Sequence, residues 1–446
     1  MRLRRLVLQV AILVVIVVAG LLIFALLSTR SADLNQGATG SDSGSNAQAL
    51  IESGRYVAIA ADCIACHTAP GGKPFAGGLA VASPIGDIYS SNITPDKISG
   101  IGKYSLNDFD RAVRYGIAPD GTTLYPAMPY PSYARMSDQD LRALYAYFVS
   151  GVIPVALANH PNGIPWPLSI RWPLAIWRKT FAPKVTPINP ARYPNSEIAR
   201  GAYLVQSLGH CGSCHTPRAL TLQELSLDES QSSYLSGGPE IDGWIAVNLR
   251  GNQGAGLGRW SSQQIVDILR SARSNTAAVV GAPMAEVITH STQHMSEPDL
   301  QAIAAYLKTL SANPNETAHF TANSDTANAL KAGQESGRGA QLYLDNCAAC
   351  HRSNGEGSAN AFPSIAGNAT VLASNPATLI RLVLVGSELP STKTAPSNLG
   401  MPGFGWRLSD EEAAQLLTFV RQNWGNSSVA TSAEEVARIR KTIPVP

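Results

Sequence analysis

Three stretches of this chain decide its fold: SGRYVAIAADCIACH at residues 53–67, IARGAYLVQSLGHCGSCH at 198–215 and SGRGAQLYLDNCAACH at 336–351. Each reads as a lead-in helix that runs into Cys-x-x-Cys-His. The 446-residue chain has six cysteines, and these motifs use all of them: Cys63 and Cys66, Cys211 and Cys214, Cys347 and Cys350. His67, His215 and His351 follow directly. A lone Cys-x-x-Cys can be a redox dithiol or half of a zinc site. A histidine after all three pairs points instead to covalent haem c, where two thiols meet two vinyl groups and the imidazole binds iron from one face. The motifs start 148 and 136 residues apart, too far for one zinc site. The expected cofactor is therefore three covalently bound haem c groups.

Working outward, each motif is followed by a closing helix: SDQDLRALYAYF from Ser137, SEPDLQAIAAYL from Ser296 and SDEEAAQLLTFV from Ser409. Each serine has an acid three residues on, Asp140, Asp299 and Glu412, which predicts a capping box. Met136 and Met295 stand just before two of these serines, with Leu141 and Leu300 as their staple partners. In the third repeat that place is Leu408. A shift of 156 residues carries Asn92 to Asn248, Lys103 to Arg259, Tyr104 to Trp260 and Met128 to Met284. The third repeat has FPSIAGN, residues 362–368, instead of the IGKYS/LGRWS element.

The expected organisation is all-α, with three tandem haem domains after an N-terminal transmembrane helix. Residues 1–30 read as the anchor: Arg2, Arg4 and Arg5 precede an apolar run from Leu6 to Leu27. That run would make about 33 Å of helix, enough for a ~30 Å hydrocarbon core. It is longer than the apolar stretch of a cleaved signal peptide. The arginine bias puts the N-terminus in the cytoplasm, so the expected location is the bacterial inner membrane with the haem domains facing the periplasm. Residues 31–49 read as a flexible linker. Domains follow at 50–160, 195–312 and 334–446, the last with a C-terminal tail. They are joined by a Pro/Trp-rich linker at 161–194 and a polar one at 313–333.

Electron carriers usually close the far face of haem iron with methionine. Met128, Met284 and Met401 stand beside proline before the closing helices, and read as loop residues. They lie 61, 69 and 50 residues beyond His67, His215 and His351. Met136 and Met295 are assigned to packing. His290 and His294 are the rivals to Met284. His210 is too close to its own motif, while His160 and His319 fall in linkers. Lys103 and Arg259 read equally well as propionate partners or as solvated cations. Net charge is +2, with 34 basic and 32 acidic residues, which gives no basic face for nucleic acid. No catalytic triad, phosphate loop or flavin fingerprint is present.

The phrases DCIACHTAP, PIGDIYSSNITPD, LYPAMPYPSYARMSDQDLRALYAYF, WPLSIRWPLAIWR, HCGSCHTPR, CAACHRSNGEG and MPGFGWRLSDEE are distributed through the region 50–426. Over that region the chain resembles the triheme cytochrome c subunits of bacterial membrane-bound dehydrogenases. The resemblance implies that a catalytic subunit, with or without an iron–sulfur small subunit, passes electrons along the haems to ubiquinone in the membrane. It implies iron ligation by Met128 of the PAMP phrase. The retained anchor looks more like the molybdopterin aldehyde dehydrogenase type than the PQQ alcohol or flavin-dependent gluconate and sugar dehydrogenase types. No substrate oxidation is expected from this chain alone. The competing reading is a self-contained haem enzyme such as a peroxidase, which needs an open iron.

Overall fold

The computed structural model describes residues 44–443 except 242 and 275–279, together with Gln9, Ile12, Ala19 and Gly20. These residues are mostly helical. The chain forms two compact units, Met1–Ile188 and Asn189–Pro446. The first holds one Cys-x-x-Cys-His motif and the second holds two. The division falls inside the Pro/Trp-rich stretch.

One helix pair recurs three times. Gly44–Ala60 packs on Asp138–Ala146, Ser196–Tyr203 on Glu297–Thr309, and Arg338–Asn346 on Asp410–Gln422. Each crossing has a glycine at its closest point. A Cβ on Gly54 would lie 1.9 Å from the Ala143 carbonyl oxygen, and one on Gly201 1.9 Å from that of Ala302. On Gly339 it would lie 2.5 Å from the Gln415 oxygen. Only a residue without a side chain lets the two backbones approach so closely. The second pair is also tied by Arg200, which donates to both Asp299 oxygens at 2.8 Å.

Each closing helix is capped by the serine its sequence offers, and a full reciprocal box is described at Ser409. The Ser137, Ser296 and Ser409 hydroxyls accept from the amides of Asp140 (3.1 Å), Asp299 (3.4 Å) and Glu412 (3.1 Å). At Ser409 the Glu412 side chain returns to the serine amide at 3.2 Å. Met136, Met295 and Leu408 are buried beside these caps, as staples require.

Short strands interrupt the helices. Ala80–Val81 pairs with Ile88–Tyr89, and Glu240–Ile241 with Trp244–Ile245, both antiparallel. These two hairpins occupy equivalent places in the first two repeats, just before the segments that face His67 and His215. His319–Phe320 pairs with Asn426–Ser427, and Gly386–Glu388 with Gly400–Pro402.

The expected fold class needs correction. No helix among the described residues is long and apolar enough to cross a membrane. The longest, Gly44–Ala60, has 17 residues and would reach about 25 Å, short of ~30 Å, and it carries Glu52 and Arg55. The expected anchor at 1–30 lies outside the described residues apart from Gln9, Ile12, Ala19 and Gly20. An all-α fold led by a transmembrane helix is therefore not supported. The location drawn from it, an anchored inner-membrane protein with its haem domains in the periplasm, goes with it.

In the Pro/Trp stretch, the helix Trp172–Phe181 packs into the first unit. Its Trp177 ring meets Tyr130 edge-on at 6.5 Å, and Ala175 and Arg178 are buried. Trp166 is 80% exposed.

Candidate haem-attachment sites

Each Cys-x-x-Cys-His forms one helical turn. The amides of His67, His215 and His351 donate to the carbonyls of Cys63, Cys211 and Cys347 at 3.0, 2.9 and 2.9 Å. All six cysteines are free thiols, the first of each pair half-buried and the second exposed. Burial pushes the Cys63, Cys211 and Cys347 thiols up to about 12. A redox-active dithiol needs a lowered thiol pKa, so these pairs are set up against that role. Among the described residues no three His, Cys, Asp or Glu side chains gather as a metal site.

The histidines are oriented in the same way three times. Nδ1 of His67 faces the Ser91 carbonyl at 2.7 Å, that of His215 the Val247 carbonyl at 2.7 Å, and that of His351 the Pro363 carbonyl at 2.9 Å. A carbonyl only accepts, so each Nδ1 carries the proton and each Nε2 keeps its lone pair for a metal. Burial lowers all three imidazoles below the usual histidine value, against the smaller opposing effect of the carbonyl. They are thus held neutral, the form that ligates.

Asparagines brace the segments that supply these carbonyls. The Asn92 amide donates to Asn159 Oδ1 at 2.6 Å, and its side chain donates to the Val155 and Leu157 carbonyls at 2.8 and 3.0 Å. In the second repeat Asn248 Nδ2 donates to Asn252 Oδ1 at 3.0 Å. In the third, Asn368 Nδ2 donates to the Ser364 carbonyl at 3.0 Å. The 156-residue shift pairs Asn92 with Asn248, but the carbonyl acceptors themselves carry no residue-type signal, because any residue offers a carbonyl.

The three methionines occupy different settings. Met128 is half-buried in a loop just before the short helix Tyr130–Tyr133. The Tyr133 hydroxyl donates to the Ala61 carbonyl at 3.0 Å, which ties this loop to the first motif. Met284 is not in a loop: it is the third residue of the helix Ala282–His290, half-buried against Ala272, Val280 and Ile288. Met401 sits on the strand Gly400–Pro402 opposite Ser387, packed against the core of the third repeat. Of the rival ligands, His290 is exposed and His294 Nε2 faces the Thr289 carbonyl at 3.1 Å.

Arg259 is exposed, and its guanidinium is held by backbone carbonyls. It donates to the carbonyls of Gln253 (2.6 Å), Gly254 (3.4 Å) and Gly367, and lies 4.6 Å from the Phe320 ring. It fastens the second repeat to the FPSIAGN segment of the third. Lys103 is exposed.

Two free thiols one helical turn apart, beside a neutral imidazole with an open Nε2, fit a covalently attached haem. Haem bound there supplies a one-electron iron couple, whose environment the chain controls through the imidazole and its carbonyl partner.

Comparison with known proteins agrees with this geometry. The cytochrome c family profile matches residues 51–151 and 336–424. The chain is 51% identical over 397 residues to the gluconate 2-dehydrogenase cytochrome c subunit of Pantoea cypripedii, covering 88% of this chain and 90% of that one. It is 49% identical to the alcohol dehydrogenase (quinone), cytochrome c subunit of Gluconobacter oxydans (strain 621H), covering 89% and 83%. It is 38% identical to the fructose dehydrogenase cytochrome subunit of Gluconobacter japonicus, covering 89% and 84%. The chain belongs to the family of dehydrogenase cytochrome c subunits.

Proposed function

We propose that this chain carries three covalent haem c groups and passes electrons from a catalytic dehydrogenase subunit to ubiquinone. The observation that carries this reading is the threefold recurrence of a histidine whose Nδ1 is held by a backbone carbonyl beside two free thiols. The attachment residues are Cys63 and Cys66, Cys211 and Cys214, and Cys347 and Cys350. The iron ligands are His67, His215 and His351 on one face and Met128, Met284 and Met401 on the other. The haem-bearing regions are 50–160, 195–312 and 334–446.

The aldehyde dehydrogenase partner expected from sequence rested on a retained spanning helix, and no described helix provides one. The partner favoured now is of the gluconate dehydrogenase type, supported by the 51% identity over most of both chains. Reconstitution tests the role. The isolated chain is expected to accept electrons from ubiquinol or dithionite and none from sugars, sugar acids, alcohols or aldehydes. Adding the catalytic subunit should restore substrate-driven ubiquinone reduction. Stoichiometric oxidation of such a substrate by the isolated chain would refute the proposal.

A second reading, a self-contained haem enzyme, is favoured by one observation: Met284 packs on an apolar cluster from within a helix. If Met284 ligates, Met284→Ala converts one haem to high spin and removes about one third of the methionine–iron charge-transfer band. A high-spin haem already present in the unmutated chain would favour the enzyme reading.

A further inference from the structure

The first unit contains a cluster of buried donors that attachment through Cys63, Cys66 and His67 does not use. Thr123 is 2% exposed, Tyr130 is 0% and Arg178 is 9%. Thr123 Oγ1, Tyr130 Oη and Arg171 Nε are buried and have no hydrogen-bond partner. They are neighbours. The Arg171 guanidinium lies 4.1 Å from the Tyr125 ring centre and donates through another nitrogen to the Thr123 carbonyl. The charges that act on the Tyr130 phenol are Arg178 and Arg171. Those that act on Arg178 are Tyr130 and Arg111. No carboxylate is among them. Asp110 and Asp138 are both committed to Arg114.

Burying cations together with no acid between them is costly, because their mutual repulsion adds to the loss of hydration. Arg171 Nε, the Tyr130 phenol and the Thr123 hydroxyl each have a proton to donate, and the positive charges of Arg171 and Arg178 favour an anionic acceptor. The cluster also lies beside the first motif. Tyr130 opens the short helix that Tyr133 ties to Ala61, and Met128 is two residues before it.

We infer that Arg171, Tyr130 and Thr123 receive the propionate carboxylates of the haem attached at Cys63 and Cys66, with the Arg178 charge beside them. This rests on reading residues 63–67 as an attachment site. Arg171 and Arg178 lie beyond 51–151, the first stretch that the cytochrome c profile matches. The helix Trp172–Phe181 and the residue before it are therefore part of the first haem site, and the Pro/Trp segment is more than a spacer.

The test uses the full-length holoprotein and the variants Arg171→Gln, Arg171→Lys and Tyr130→Phe. Haem content is measured first, and then the midpoint potentials by spectroelectrochemical titration. Ferric haem carries one more positive charge than ferrous haem, so removing a nearby cation stabilises the ferric form and lowers the potential. Arg171→Gln is expected to raise the ferric-to-ferrous ratio of one haem about tenfold at fixed potential, about 59 mV for one electron. Arg171→Lys should stay near the unmutated value, and Tyr130→Phe should shift the same haem about threefold in the same direction. Equal shifts in the Lys and Gln variants, or none in Gln with all haems present, would overturn the inference. So would a shift of the unmutated chain's wave on adding acetate, which would place a free carboxylate at the cluster. Absence of haem from residues 63–67 would instead refute the attachment reading beneath it.

Discussion

Gly201→Ala is expected to destabilise the second unit by about 2–3 kcal/mol, in the upper range for overpacking a core. The added methyl would stand 1.9 Å from the Ala302 carbonyl oxygen and 2.7 Å from the Tyr306 Cβ. Both belong to the helix Glu297–Thr309, whose backbone has no flexible end to swing aside. Relief requires the two helices to separate. That separation would pull Arg200 from Asp299 and uncover Leu204, Leu300 and Tyr306, all fully buried. Gly71→Asn is the control: Gly71 has φ 70°, which asparagine tolerates, and nothing stands within 4 Å of an added Cβ. It should change stability by less than about 0.5 kcal/mol. Urea denaturation of the holoprotein measures both. A Gly201→Ala cost no larger than that of the control would mean that the helices do not cross as closely as described.

Removing one haem from the chain is expected to interrupt the transfer route. In the double variant Cys211→Ala, Cys214→Ala the second motif offers no thiol to a vinyl group, although His215 and its Val247 partner remain. With three haems per chain as proposed, haem content should fall to two. The spectra of the remaining haems should be unchanged, since their attachment turns are built from residues 63–67 and 347–351. In a reconstituted complex, substrate-driven ubiquinone reduction should fall about 100-fold, as raising a barrier by about 2.7 kcal/mol would do. Full activity with only two haems would show that the second haem lies off the route.

The lead-in and closing helices were legible because their signals are local. Ser137, Ser296 and Ser409 each find a cap partner three residues away, and Met136 and Met295 each find a staple partner five residues on. The glycines at the helix crossings were present in the same stretches but carried no distinctive signal. A glycine inside a helix reads as a weakness until the opposing backbone is in place. Met284 was misread as a loop residue because Pro283 suggested a break. Proline in the first helical turn lacks only an amide that the helix leaves unbonded, so Ala282–His290 begins with it. Arg259 was left between two roles because its partner Gly367 lies 108 residues away.

By itself, the sequence determined the three Cys-x-x-Cys-His turns, their thiols and imidazoles, and the serine caps, because each rests on residues within about five positions of one another. Tertiary structure alone decided which carbonyl orients each imidazole, across 24, 32 and 12 residues, and which settings the methionines occupy. It also brought Arg171 and Arg178 of the Pro/Trp segment beside Tyr130. A backbone carbonyl has no residue-type signature, and a buried guanidinium is indistinguishable in sequence from a solvated one. Both acquire their roles only when packing removes water and leaves one partner within reach.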